Sequence, residues 1–246
     1  MFRKILPLTL ALCCVSVAPV REAHAFSCAR DAMLVFDGSA SMAELGYDTS
    51  EPTRIDHARA AISEALPQIA SVRRVGLLIY GPGPEGSCAG INLKFRPLDD
   101  AALPIIGAIN GLDPIGLTPL TASVRAAAEV LQYRNKPGIV VVVTDGNETC
   151  GGSPCALASE LARTAQDLTV HVIGFRVMYD PARWVTSGAA ANTEHTSIAR
   201  CLADQTGGLY VATETVEELS VALQETMGCA LIGQAEPETG TRRHPA

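Results

Sequence analysis

The chain has 246 residues, 48% of them apolar, and carries a formal charge of -7 with a pI near 5.2. That length suits one full-sized domain, and the apolar fraction excludes a disordered or low-complexity chain. The acidity, with no Lys/Arg cluster longer than a pair, excludes a protein that grips nucleic-acid backbones.

Residues 1–25 read as an export signal. Arg3 and Lys4 precede a mostly apolar stretch from Ile5 to Val20, and Ala23-His24-Ala25 forms a cleavage pattern that makes Phe26 the first mature residue. The stretch is short and broken by Pro7 and Pro19, which argues against a membrane anchor, and no later segment is long and apolar enough to span a bilayer. Removing residues 1–25 takes three bases, one acid and two Cys, leaving a charge of -9 and six Cys. An even Cys count in an exported chain, secreted or periplasmic, favours disulfides.

The mature chain alternates strand-like and helix-like segments. Residues 32–37 form a short apolar strand, and 54–72 carry apolar residues at helical spacing, with Pro67 expected to kink or end the helix. A strand over 75–80 leads into a Gly/Pro-rich loop holding Cys88, and 91–98 alternates as an edge strand does. Helices follow at 100–110 and 120–133. Gly138 to Thr144 is a β-branched run suited to a central strand covered on both faces. A helix at 154–166, a strand at 169–176, a helix at 195–206, a strand at 208–213 and a helix at 215–227 complete a domain over 26–233. Residues 234–246 read as a loose tail. This order predicts an α/β fold: an open, doubly wound, mostly parallel six-stranded sheet with one antiparallel edge strand and helices on both faces. In such sheets a ligand site lies beyond the carboxyl ends of the strands, where strand order reverses.

Oxygen donors collect in those loops. The first strand runs into Asp37-Gly38-Ser39-Ala40-Ser41, the fourth ends in Thr144-Asp145-Gly146, and Thr118 lies between them in Gly116-Leu117-Thr118-Pro119-Leu120. Two carboxylates and three hydroxyls suit a hard divalent cation. Taken singly, each of the five is also an ordinary cap or turn residue.

D-x-S-x-S, a lone Thr in G-x-T-P-L and T-D-G, in that order, resemble a von Willebrand factor type A domain and its metal-ion-dependent adhesion site. The likeness extends over roughly residues 28–230, including the VHVIGF strand and Thr206 to Tyr210. The resemblance implies that Ser39 and Ser41 bind the ion directly, that Asp37 and Asp145 act directly or through water, and that Thr118 joins them when ligand is engaged. It implies Mg²⁺ as the ion, with Mn²⁺ or Ca²⁺ as substitutes, and an open position filled by a carboxylate of a protein partner.

Among the cysteines, Cys28 precedes the first strand and Cys229 ends the last helix, so both fall at the bottom of the sheet. A bridge between them is expected, as in some members of the family; closing about 200 residues, it stabilises by about 4–5 kcal/mol in the chain-entropy model. Cys150 and Cys155 flank Gly-Gly-Ser-Pro and are expected to bridge locally, leaving Cys88 and Cys201 without an assigned pairing. A zinc site built from Cys88, Cys150, Cys155 and Cys201 is the less favoured alternative in an oxidising compartment.

No Walker loop, nucleophile elbow or His–Cys metal spacing occurs, so the expected role is binding rather than catalysis. The alternatives are a metal-dependent hydrolase, which lacks an evident general base, and a scaffold with a vestigial site. Asn147-Glu148-Thr149 fits a glycosylation acceptor, but its closeness to Asp145 favours a structural turn. His171 inside a strand reads as a core or edge residue. A long connection from Val177 to Glu194 holds Trp184, the sole Trp, and reads as a packed lid or a partner-contacting loop.

Overall fold

A computed structural model describes residues 28–45, 52–175 and 199–229. Six strands form one sheet: β1 (Asp31–Asp37), β2 (Val75–Tyr80), β3 (Ile91–Leu98), β4 (Pro137–Thr144), β5 (Asp167–Phe175) and β6 (Tyr210–Thr213). Their spatial order is β3-β2-β1-β4-β5-β6, with β3 antiparallel to β2 and every other neighbour parallel. The order reverses between β1 and β4. Their carboxyl ends therefore flank the crevice in which open α/β sheets bind ligands.

The helices divide between the two faces. Helices α1 (Arg54–Ala70), α2 (Ala102–Asn110) and α6 (Val216–Met227) cover one face with α1 residues such as Ile62, Leu66 and Ile69. Helices α3 (Leu120–Val130), α4 (Pro154–Thr164) and α5 (Arg200–Thr206) cover the other with Val124, Leu157, Leu161 and Leu202. Strand β4 serves both layers: Ile139, Val141 and Val143 join the first, Val140 and Val142 the second. That double burial is why its sequence is continuously β-branched instead of alternating.

Helix starts follow local chemistry. Thr53 accepts from the Asp56 N–H and opens α1, and Thr215 does the same for Glu218 at α6. Pro67 ends α1 less abruptly than its sequence suggests: it sits in the last turn, and the helix runs three residues further to Ala70. Beyond β1 a short 3-10 turn, Ala40–Ala43, folds the loop back on itself, an element the periodicity did not reveal.

Three disulfides join the six described cysteines. Cys28–Cys229 links the two ends of the domain, as expected. The local Cys150–Cys155 bridge does not form; Cys150 pairs with Cys88, and Cys155 with Cys201. The reason is topological. Cys155 lies in the first turn of α4, which packs along α5, and Cys201 lies in the first turn of α5, with Cα atoms 5.2 Å apart. Cys150 is left on the β4–α4 loop beside the β2–β3 loop, 5.7 Å from Cys88 between Cα atoms. Both spacings suit a disulfide, and the pairing leaves no thiolates for the zinc alternative.

The signal over 1–25, the tail over 234–246 and the 177–194 connection with Trp184 lie outside the described residues. None of the described helices is long and apolar enough to cross a membrane.

Candidate metal centre

Parallel pairing of β1 with β4 brings Phe36 beside Val143, so the next residues, Asp37 and Thr144, leave the sheet side by side. On the other side Asp37 is in register with Tyr80 of β2. Asp37 is fully buried, and each carboxylate oxygen is held. Oδ1 accepts from the Ser39 N–H at 2.8 Å; Oδ2 accepts from the Tyr80 hydroxyl at 2.8 Å and the Thr144 hydroxyl at 2.7 Å. Burial, with the nearby charge of Asp145, pushes the Asp37 carboxyl up to about 6. Burial and Asp37 likewise raise the Tyr80 phenol, which stays a donor.

Asp145, one residue beyond β4, is 3% exposed. Its Oδ1 accepts from Ser41 Oγ at 2.7 Å, and Ser41 Oγ lies 3.1 Å from Ser39 Oγ. A hydroxyl has one hydrogen, so Ser39 donates to Ser41 and Ser41 to Asp145. Asp145 Oδ2 is held at 2.7 Å by Arg54, the first residue of α1, whose guanidinium is also buried. The same guanidinium reaches the exposed Glu44 carboxylate at 3.1 Å and the Ser41 carbonyl at 3.4 Å.

The Thr118 loop is fastened to both neighbours. Ala40 N–H donates to the Gly116 carbonyl and Ile115 N–H to the Gly38 carbonyl. Thr118 N–H donates to Thr149 Oγ1 at 2.8 Å, and Thr149 N–H returns to the Thr118 carbonyl at 3.1 Å. Glu148 completes the clasp: one oxygen accepts from Thr121 N–H in the first turn of α3, the other from Cys150 N–H. A carboxylate there suits the helix dipole, and Pro119 supplies no side-chain cap. Close approach of the loops needs glycine: Gly81 and Gly116 have φ of +109° and +89°, and a Cβ on Gly116 would run into the Gly81 carbonyl oxygen.

The fold thus brings Asp37, Ser39, Ser41 and Asp145 into one hydrogen-bonded cluster and sets the buried Thr118 in the adjoining loop. The donor set fits a hard divalent ion. It is all oxygen, it carries two buried negative charges, and within the described contacts Ser39 Oγ keeps both lone pairs and Ser41 Oγ one. Among the described residues no group of three or more His, Cys, Asp and Glu forms a competing metal site. Asn147-Glu148-Thr149, expected as a structural turn, is an irregular loop segment whose Glu148 and Thr149 clasp the Thr118 loop. His171 sits in β5, accepting the Leu209 N–H on Nδ1; burial, with Arg73 and Arg30, lowers its pKa to about 4. Sequence reasoning gave no role to Arg54 or Tyr80, and read Glu148 and Thr149 only as part of a turn. Glu148 and Thr149 stood next to the quoted T-D-G motif; Arg54 and Tyr80 had no signal beyond being a helix-start Arg and a strand-end Tyr.

The sheet order, the two helical layers and the loop cluster at the reversal point define an open, doubly wound α/β domain. Residues 32–148 match the family model of the von Willebrand factor type A domain. Two Bacillus subtilis (strain 168) proteins are similar in sequence, the uncharacterized proteins YwmC and YwmD. YwmC is 28% identical over 58% of this chain and 64% of its own length; YwmD is 22% identical over 88% and 93%. The chain therefore spans just under two thirds of YwmC. Three solved structures share the fold. A von Willebrand factor type A protein from Catenulispora acidiphila has 13% identity and a TM-score of 0.58 over 81% of this chain and 42% of its own. Proximal thread matrix protein 1 of the mussel byssus, with a zinc-occupied metal-ion-dependent adhesion site, has 18% identity and a TM-score of 0.53 over 82% and 46%. The pilus adhesin SpaC of Lactobacillus rhamnosus GG has 14% identity and a TM-score of 0.56 over 80% and 30%. The chain spans less than half of each of these three.

Proposed function

We propose that this protein is an exported binding module that captures a protein partner through a divalent cation held by Asp37, Ser39, Ser41, Thr118 and Asp145. The observation that carries this reading is the hydroxyl relay from Ser39 through Ser41 to Asp145, set beside a second buried carboxylate at the reversal point of the sheet. Those residues would hold the ion, Mg²⁺ by the hardness of the donors, with Mn²⁺ or Ca²⁺ as substitutes. When bound, the ion supplies a Lewis-acidic position for a carboxylate of the partner. The chain's own part is to position the hydroxyls, fix the two acids near each other, and keep the Thr118 loop against the Asp145 loop through Thr149. A pilus adhesin and a byssal matrix protein among the proteins of like fold favour interaction over catalysis. Export is read from residues 1–25 and from the three disulfides, which suit a secreted or periplasmic setting.

One observation favours a second reading. All four carboxylate oxygens already accept hydrogen bonds within the protein, as in a polar cluster that needs no ion. Calorimetric titration with Mn²⁺ separates the two. The first reading expects saturable one-site binding that EDTA reverses and that Ser39→Ala or Asp145→Ala weakens at least tenfold. Binding that is absent, or indifferent to both substitutions, returns the site to a structural role.

A further inference from the structure

The guanidinium of Arg54 is 5% exposed as a residue and ion-paired with a carboxylate that has no exposed side-chain surface. The charge of Arg54 is balanced inside the protein by one of the two acids of the candidate centre. Its other carboxylate contact, Glu44, is largely in water, where screening leaves it little weight at the centre. The guanidinium faces no open surface, so it cannot itself meet a partner. It acts through Asp145.

The charge balance follows. Asp37 and Asp145 supply two negative charges, and Arg54 returns one positive charge inside the same desolvated cluster. A divalent ion added to the two acids alone would give a neutral site. Added to the acids with Arg54, it leaves the site with one net positive charge, and low-dielectric surroundings preserve that difference. We infer that Arg54 is a specificity-determining positioning residue: it weakens the hold on the cation and, in exchange, makes the loaded site select an anionic group of the partner. The inference rests on the cation-binding reading above. It adds to it that the carboxylate preference is built into the base of the site, by a residue that touches neither ion nor partner.

The test uses the full exported chain, Mn²⁺ as the ion and acetate as the anionic probe. Calorimetry reads Mn²⁺ affinity, and water-proton relaxation of bound Mn²⁺ reads displacement of its water by acetate. Arg54→Gln should tighten Mn²⁺ binding about tenfold and raise the acetate midpoint about tenfold, while Arg54→Lys, which keeps the charge, should stay within about threefold of wild type in both. Arg54→Met carries the same comparison if Arg54→Gln does not fold. Unchanged or weaker Mn²⁺ binding in the neutral variants overturns the inference, as does Arg54→Lys behaving like Arg54→Gln. If wild type binds Mn²⁺ but the variants match it, only Arg54's role fails. If wild type binds no Mn²⁺, the cation-binding reading fails and takes this one with it.

Discussion

The two ends of the sheet bury polar groups in different ways. At the amino ends of the strands the buried Arg73 donates to main-chain carbonyls: Nε to Met227 at 2.6 Å, Nη1 to Arg30 at 2.7 Å and Nη2 to Gly228 at 3.4 Å. The Cys28–Cys229 bridge ties the same segments covalently. At the carboxyl ends the buried groups are side chains, two acids with hydroxyls and an arginine around them, and like charges are kept near each other. At the amino ends the buried arginine meets neutral oxygens. At the carboxyl ends the acceptors include two carboxylates, whose charge a hard cation favours. One end ties the termini of the domain together, and the other sets two like charges near each other.

Three variants sharpen or break that contrast. The largest effect should come from Cys28→Ser with Cys229→Ser, since opening a loop of this length costs about 5 kcal/mol in the chain-entropy model. Urea unfolding reads it, and a loss under about 1 kcal/mol would remove the bridge from the account of stability. Next comes Arg73→Met, which leaves carbonyls of three residues without their donor and should cost about 2–3 kcal/mol by the same measurement. Asp37→Asn should cost least. Taking one of two neighbouring buried negative charges away relieves repulsion while losing part of a hydrogen-bond set, so in EDTA stability should stay within about 1 kcal/mol of wild type. On the cation-binding proposal, Mn²⁺ stabilises wild type against heat and the same variant should lose that gain. If Asp37→Asn proves as damaging as Arg73→Met without metal, the two ends do not differ in the way described.

The disulfides show where reading along the chain stops. Cys150 and Cys155 are close in sequence and separated by glycines, so a local bridge was the natural expectation. The helix that begins at Pro154 instead turns Cys155 toward the first turn of α5, and Cys150 faces the β2–β3 loop. Cys28 and Cys229 were legible because each lies at the end of an element, and element ends fall at a known edge of a parallel sheet. The same logic made Asp37, Ser39, Ser41, Thr118 and Asp145 visible: each follows a strand or precedes a helix at that edge. Arg54 was not visible. It is 91 residues from Asp145, and nothing at the start of a helix marks which way a long side chain will lie.

Strand-helix alternation, one doubly buried strand and oxygen donors in the strand-end loops determined the fold class and the edge that carries the candidate site. Those features are local, because side-chain periodicity and turn chemistry act over a few residues. The pairing of four of the six cysteines, the clasp of Thr149 on Thr118 and the charge of Arg54 beside Asp145 were decided only in the folded molecule. Each depends on how separate elements are packed against one another, and that packing sets distances that sequence spacing does not contain.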